Sequence, residues 1–148
     1  MSITEFNLID RFFNKKVTDS DRVVLGIGDD AALLRPDTNA GNHTQVLIAS
    51  STLLEGTDFE PDQDPASIGR TLLEKPLDEI ARQSAQPIWA TLSLTLPNTD
   101  ETWLKAFSDS LLDTASENGI QLVGGDTTQG PSKLITIQVY GVKDKGEG

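Results

Sequence analysis

Between residues 65 and 142 the spacing of the apolar residues switches back and forth between helical and strand periods, and this alternation constrains the fold more than any single motif. Ile68, Leu72, Leu73, Leu77, Ile80 and Ala81 recur at helical spacing behind Asp64 and Pro65, residue types that suit an N-cap and a first helical position. Pro76 interrupts that stripe, removes one backbone donor, and predicts a kink or two abutting helices. Ile88 to Leu96 then alternates as a strand and stops at Pro97. The helical period returns in Trp103, Leu104, Phe107, Leu111 and Ala115, with Asp100 as cap and Gly119 as stop. Gln121 to Val123 predicts a short strand leading into Gly124-Gly125-Asp126, and Leu134 to Val142 a long strand of alternating β-branched residues.

Upstream, Phe6, Ile9 and Phe13 mark a short amphipathic helix over 4–13. Val23 to Ile27 and Ala31 to Leu34 read as strands around a Gly28-Asp29-Asp30 turn, Pro36 to Asn42 as a loop, and Gln45 to Ser50 as another strand. Helices and strands mixed in this order predict one α+β domain over 1–148, a mixed sheet covered by helices.

Composition removes several functions. Twelve basic residues against 23 acidic ones give a net charge of −11, and the basic ones are scattered, so a nucleic-acid backbone would be repelled. Zero cysteines leave neither disulfides nor thiolate sites. The opening stretch is polar and no apolar run reaches membrane-spanning length, so the reading is a cytoplasmic protein with no membrane partner.

Two stretches carry candidate chemistry. Gly26-Ile27-Gly28-Asp29-Asp30 and Gly124-Gly125-Asp126-Thr127-Thr128 each join glycines, which let a ligand approach the backbone, to carboxylates that suit a hard cation. Magnesium keeps several waters and shares phosphate oxygens, so single aspartates at strand ends can hold it. Taken singly, each stretch is also ordinary turn chemistry, and Asp29 reads best that way. His43 reads as a solvated loop residue, the acids from Glu55 to Asp64 as a solvated loop, and Trp89 and Trp103 as core or interface anchors.

Together, Leu25-Gly26-Ile27-Gly28-Asp29-Asp30-Ala31-Ala32-Leu33-Leu34, Trp89-Ala90-Thr91-Leu92-Ser93-Leu94-Thr95-Leu96-Pro97 and Leu122-Val123-Gly124-Gly125-Asp126-Thr127-Thr128-Gln129-Gly130-Pro131 resemble the signature stretches of the thiamine-monophosphate kinases. The resemblance covers nearly the whole chain. It implies the N-terminal domain of the aminoimidazole ribonucleotide synthetase-like fold, the half of a two-domain enzyme that binds magnesium and ATP and pairs as a homodimer. The whole enzyme phosphorylates thiamine monophosphate to thiamine diphosphate. By position, Asp30 and Asp126 match metal ligands, and Gly125 with Asp126 matches the loop that touches the nucleotide phosphates. No catalytic residue is assigned.

Departures accompany the match. Ala49-Ser50-Ser51 stands where the family has Ser-Thr-Asp, so a carboxylate is missing and Ser50 offers only a hydroxyl. Pro76-Leu77-Asp78-Glu79 replaces Asn-Leu-Ser-Asp, which puts Glu79 at a ligand position. Asp58 replaces a substrate-associated histidine. The chain stops at Gly148, before the family's C-terminal domain, so the resemblance implies no kinase turnover by this stretch alone. These changes keep a second reading open, a non-catalytic dimerising module with a degraded site. For dimer contacts the strand residues Leu92, Leu94, Ile135, Ile137 and Val139 are the expected surface.

Overall fold

Asp64 and Asp100 set the two helices among the described residues. The computed structural model describes residues 23–25, 31–34 and 44–144, and helix α1 (Pro65–Arg82) begins where Asp64 accepts the Ala66 amide at 3.1 Å. It runs unbroken through Pro76, so the chain does not split into two abutting helices. Pro76 has no N–H to give the Leu72 carbonyl, yet Leu72, Leu73, Pro76 and Ile80 are buried together, and that shared burial holds the helix across the lost bond. Helix α2 (Glu101–Glu117) opens on Asp100, whose Oδ1 accepts the Trp103 amide at 3.2 Å, and ends before Gly119 at φ 72°. Both follow the sequence reading. They pack so closely that a Cβ at Gly69 would lie 2.8 Å from the Phe107 carbonyl oxygen, and the Ser110 hydroxyl donates to the Ala66 carbonyl at 2.6 Å.

Among the described residues six strands form one sheet, β1 (Val23–Leu25), β2 (Ala32–Leu34), β3 (Thr44–Leu54), β4 (Gln86–Leu96), β5 (Gln121–Gln129) and β6 (Leu134–Asp144), ordered β1-β2-β3-β6-β4-β5. All neighbours are antiparallel except β4 and β5, which run parallel because α2 carries the chain back between them. The expected α+β domain with a mixed sheet is therefore the observed one. One difference matters: Gly124 to Gln129 is not a turn but part of β5, entered through an irregularity after Ala90 and Leu122. The expected helix over 4–13, the 26–30 segment and the 36–42 loop lie outside the described residues, as does His43. Among the described residues no helix is long and apolar enough to cross a membrane.

Strand alternation gives the sheet two unlike faces. Leu47, Ala49, Ala90, Ile135, Ile137 and Val139 point to the helices and are nearly sealed from solvent, with Leu92 and Leu94 packed against them. The residues expected to contact a second copy therefore serve the core instead. Alternation alone cannot say which face the helices cover. The opposite face carries Ile48, Ser50, Thr52, Tyr140, Gln138, Thr136, Trp89, Thr91, Ser93 and Asp126, aligned across the strands by the register, and Trp89 there is 47% exposed. Trp103 stays on the helix side, 7% exposed and stacked on Phe107 at 5.0 Å.

Candidate functional site

Gly125 and Asp126 sit side by side on β5 and owe their positions to different causes. Gly125 has φ 155°, and a Cβ there would fall 1.8 Å from the Leu92 carbonyl oxygen, so only glycine lets β5 lie against β4. Asp126 opposes Ser93 on the face that no described helix covers, the uncovered face, and is exposed. Its Oδ1 accepts the Thr127 amide at 2.9 Å. That bond orients the carboxylate and leaves it outward as a hard-oxygen donor.

Around it the face is built of hydroxyls. The row through Asp126 reads Thr52, Thr136, Ser93, Asp126, and the next holds Ser50, Gln138, Thr91 and Gly124. Thr52 and Thr136 share a hydrogen bond of 3.0 Å and Thr95 and Thr128 one of 3.1 Å, which tie β3 to β6 and β4 to β5. Ser50 is exposed on this face, but β6 and β4 stand between it and Asp126, a separation of about 14 Å at the usual strand spacing. No one ion spans that gap.

The other candidates lie elsewhere. Glu79 belongs to the buried side of α1, 6% exposed, with Oε1 3.9 Å from the Lys75 ammonium, so it stands in the helix layer. Ser51, the position lacking the family carboxylate, is buried on that same side. Asp58 closes the turn after β3: its Oδ2 accepts the Leu54 amide at 2.8 Å while its own amide donates to the Leu54 carbonyl at 2.7 Å. Asp30 lies outside the described residues. Among the described residues no three His, Cys, Asp or Glu side chains gather as a metal cage. Thr91, Ser93, Thr136 and Gln138 were not singled out in the sequence, because only the cross-strand register places them beside Asp126.

Comparison with known proteins gives a consistent picture. The family described as "AIR synthase related protein, N-terminal domain" matches residues 28–142. A thiamine-monophosphate kinase of Escherichia coli K12 is 42% identical over 146 residues, which is 99% of this chain and 43% of that protein. Its counterpart in Haemophilus influenzae is 40% identical over 148 residues, 100% of this chain and 44% of that one. Among solved structures, thiamine-monophosphate kinase from Stenotrophomonas maltophilia K279a superposes with a TM-score of 0.66 at 38% identity, covering 99% of this chain and 44% of that one. "AaThiL complexed with AMPPCP and TMP" superposes with a TM-score of 0.78 at 24% identity over 95% of this chain and 42% of that one, a likeness of fold. The chain thus spans about 43% of the length of the curated relatives it matches.

Proposed function

The chain belongs to the AIR synthase related proteins, as their N-terminal domain, and from that membership we propose that it holds magnesium and ATP for a kinase that phosphorylates thiamine monophosphate to thiamine diphosphate. The observation that carries the proposal is Asp126, outward on the uncovered sheet face beside Gly125, within a chain 42% identical to a thiamine-monophosphate kinase. Phosphoryl transfer of this kind asks the protein mainly for positioning and for neutralising the charge that builds up on the transferred group. A bound magnesium would supply that neutralisation. Asp126 would serve as one ligand and Asp30, by the family resemblance, as a second; Glu79 and Ser50, the further positions that resemblance assigns, stand apart from Asp126, Glu79 in the helix layer and Ser50 across two intervening strands. The hydroxyls of Ser93 and Thr91 line the same face and can donate to phosphate oxygens without adding negative charge. Asp58 keeps a substrate-side position but brings a negative charge there, already engaged by the Leu54 amide. We place a second copy of the chain over the uncovered face, making a homodimer.

One observation favours the alternative, a dimerising module without catalysis. Asp126 is on the uncovered face whereas Glu79 and Ser51 are buried on the helix side, so the ligand set is split across the sheet. Thermal melting with magnesium and then magnesium-ATP separates the two. If Asp126 is a ligand, the parent is stabilised by about 2.7 kcal/mol at a hundredfold excess over the dissociation constant, and Asp126→Asn loses most of that response while Asp113→Asn keeps it. Equal responses in all three proteins would mean diffuse screening of the −11 charge, and the module reading would replace the kinase one.

A further inference from the structure

The carboxyl end of β3 and the turn before β6 meet at an ion pair unlike the others among the described residues. The i,i+4 pairs Arg82–Asp78 and Lys105–Asp109 are more than half exposed on both sides, where such pairs contribute little. Lys133 and Glu55 are only 13% and 14% exposed, with Nζ 3.4 Å from Oε2. The two residues are joined three times over. Besides the ion pair, the Glu55 amide donates to the Lys133 carbonyl at 3.0 Å and the Lys133 amide donates to Glu55 Oε1 at 3.3 Å. The Lys133 ammonium also lies 4.9 Å from the centre of the Trp103 ring, in the first turn of α2.

Three segments converge there. Glu55 opens the turn that ends at Phe59, which is closed by the Gly56 amide on the Phe59 carbonyl at 2.7 Å and by Asp58 on Leu54. Lys133 closes the turn that returns β5 to β6, begun where the Gly130 amide donates to the Leu96 carbonyl at 3.1 Å. Trp103 is anchored by its stack on Phe107. We propose that Lys133 and Glu55 are positioning residues that make the 54–59 turn and the β5–β6 turn one mechanical unit, fixing Asp58 relative to the strand that carries Asp126. An ammonium between a carboxylate and an indole face is held from two sides, so neither turn can swing without breaking contacts made by the other. The inference does not depend on the kinase reading, and its test uses no nucleotide.

The test is amide hydrogen exchange by NMR on the whole chain, with Gly56, Thr57, Asp58 and Gly130 as reporters and Ile135 and Ile137 in the central ladder as reference. Lys133→Met should speed exchange at all four reporters by about tenfold and leave the reference amides unchanged. Glu55→Gln, which keeps side-chain shape and the backbone bond, should accelerate the same four, and the double variant should be no faster than the quicker single one. In a Trp89→Phe background the Trp103 emission should shift with Lys133→Met and return with Lys133→Arg, which also restores slow exchange. Acceleration at Gly130 with Gly56 to Asp58 unchanged would overturn the proposal, since the turns would then be independent. So would equal acceleration at Ile137, which marks global loss of stability, or an Arg variant as fast as Met.

Discussion

Adjacent glycines on β5 should respond oppositely to the same methyl group. At Gly125 a Cβ would sit 1.8 Å from the Leu92 carbonyl oxygen and 2.7 Å from its carbon, against an ordinary contact of 3.4–4 Å. Gly125→Ala therefore needs β5 to retreat by about 1.6 Å, and a ladder bond near 2.9 Å does not survive that stretch. The alanine also inherits φ 155°, which costs an L-residue about 1–3 kcal/mol. Losing two neighbouring ladder bonds adds about 1–3 kcal/mol, so the total reaches about 2–6 kcal/mol, comparable with the whole stability of a small domain. Because β5 is an edge strand with one neighbour, the cheaper response is local: β5 leaves β4 while the core around Ile135 and Ile137 stays.

Gly124 is the control. Nothing lies within 4 Å of a Cβ there, so Gly124→Ala should be neutral or slightly stabilising. The measurement is urea unfolding by circular dichroism together with amide exchange along β5. If both glycines serve only to let phosphate approach, both variants weaken nucleotide binding and neither changes stability. Equal unfolding midpoints for the two variants would refute the argument from strand packing.

Two further outcomes test the packing and the assembly. Gly69→Ala gains about 1 kcal/mol of helix propensity but drives a Cβ to 2.8 Å from the Phe107 carbonyl oxygen, a backbone atom that cannot step aside, so it should lower the melting temperature; a rise would show that α1 and α2 part at little cost. Trp89→Glu puts a charge on the uncovered face at a residue 47% exposed, so light scattering should read a dimer for the parent and a monomer for the variant, whereas Leu112→Glu, equally exposed on α2, should leave the dimer intact.

What could be read from the sequence divides along the range of the interactions. Both helices were legible because their signals are local: Asp64 with Pro65, Asp100, Gly119 and the apolar stripes all act within a few residues. Pro76 was read as a kink or a junction of two helices because its cost is local too, while the burial that offsets it and keeps one helix comes from contacts the sequence does not display. Strand existence was legible, but pairing was not. β3 pairs with β6 in a register that joins Thr44 to Asp144 and Leu54 to Leu134, and nothing in either segment announces the other. Gly124-Gly125-Asp126 looked like a turn because these residue types favour turns, and pairing with β4 overrode that preference. The expected dimer surface fell on Leu92, Leu94, Ile135, Ile137 and Val139 since apolar alternation marks a buried face without saying what buries it.

The register that hid these facts also sorts the uncovered face into zones, and the sorting bears on the proposed site. Toward the carboxyl end of β6 the facing rows hold Val46 with Val142, and Ile48 with Tyr140 and Trp89. The next two rows hold Ser50, Gln138 and Thr91, then Thr52, Thr136, Ser93 and Asp126. A face meant only for solvent has little reason to gather aromatic and branched residues at one end, and a face meant only for burial has little reason to carry two rows of hydroxyls and a carboxylate. A second copy seated on the apolar rows would leave the hydroxyl rows lining a polar space, with Asp126 at its edge. There the carboxylate meets fewer waters than on an open sheet, and its pull on a cation strengthens as the local dielectric falls. Assembly and metal affinity would then be coupled, so the monomeric Trp89→Glu variant should bind magnesium-ATP more weakly than the parent although Asp126 is untouched, and undiminished affinity in that monomer would separate the two functions of the face.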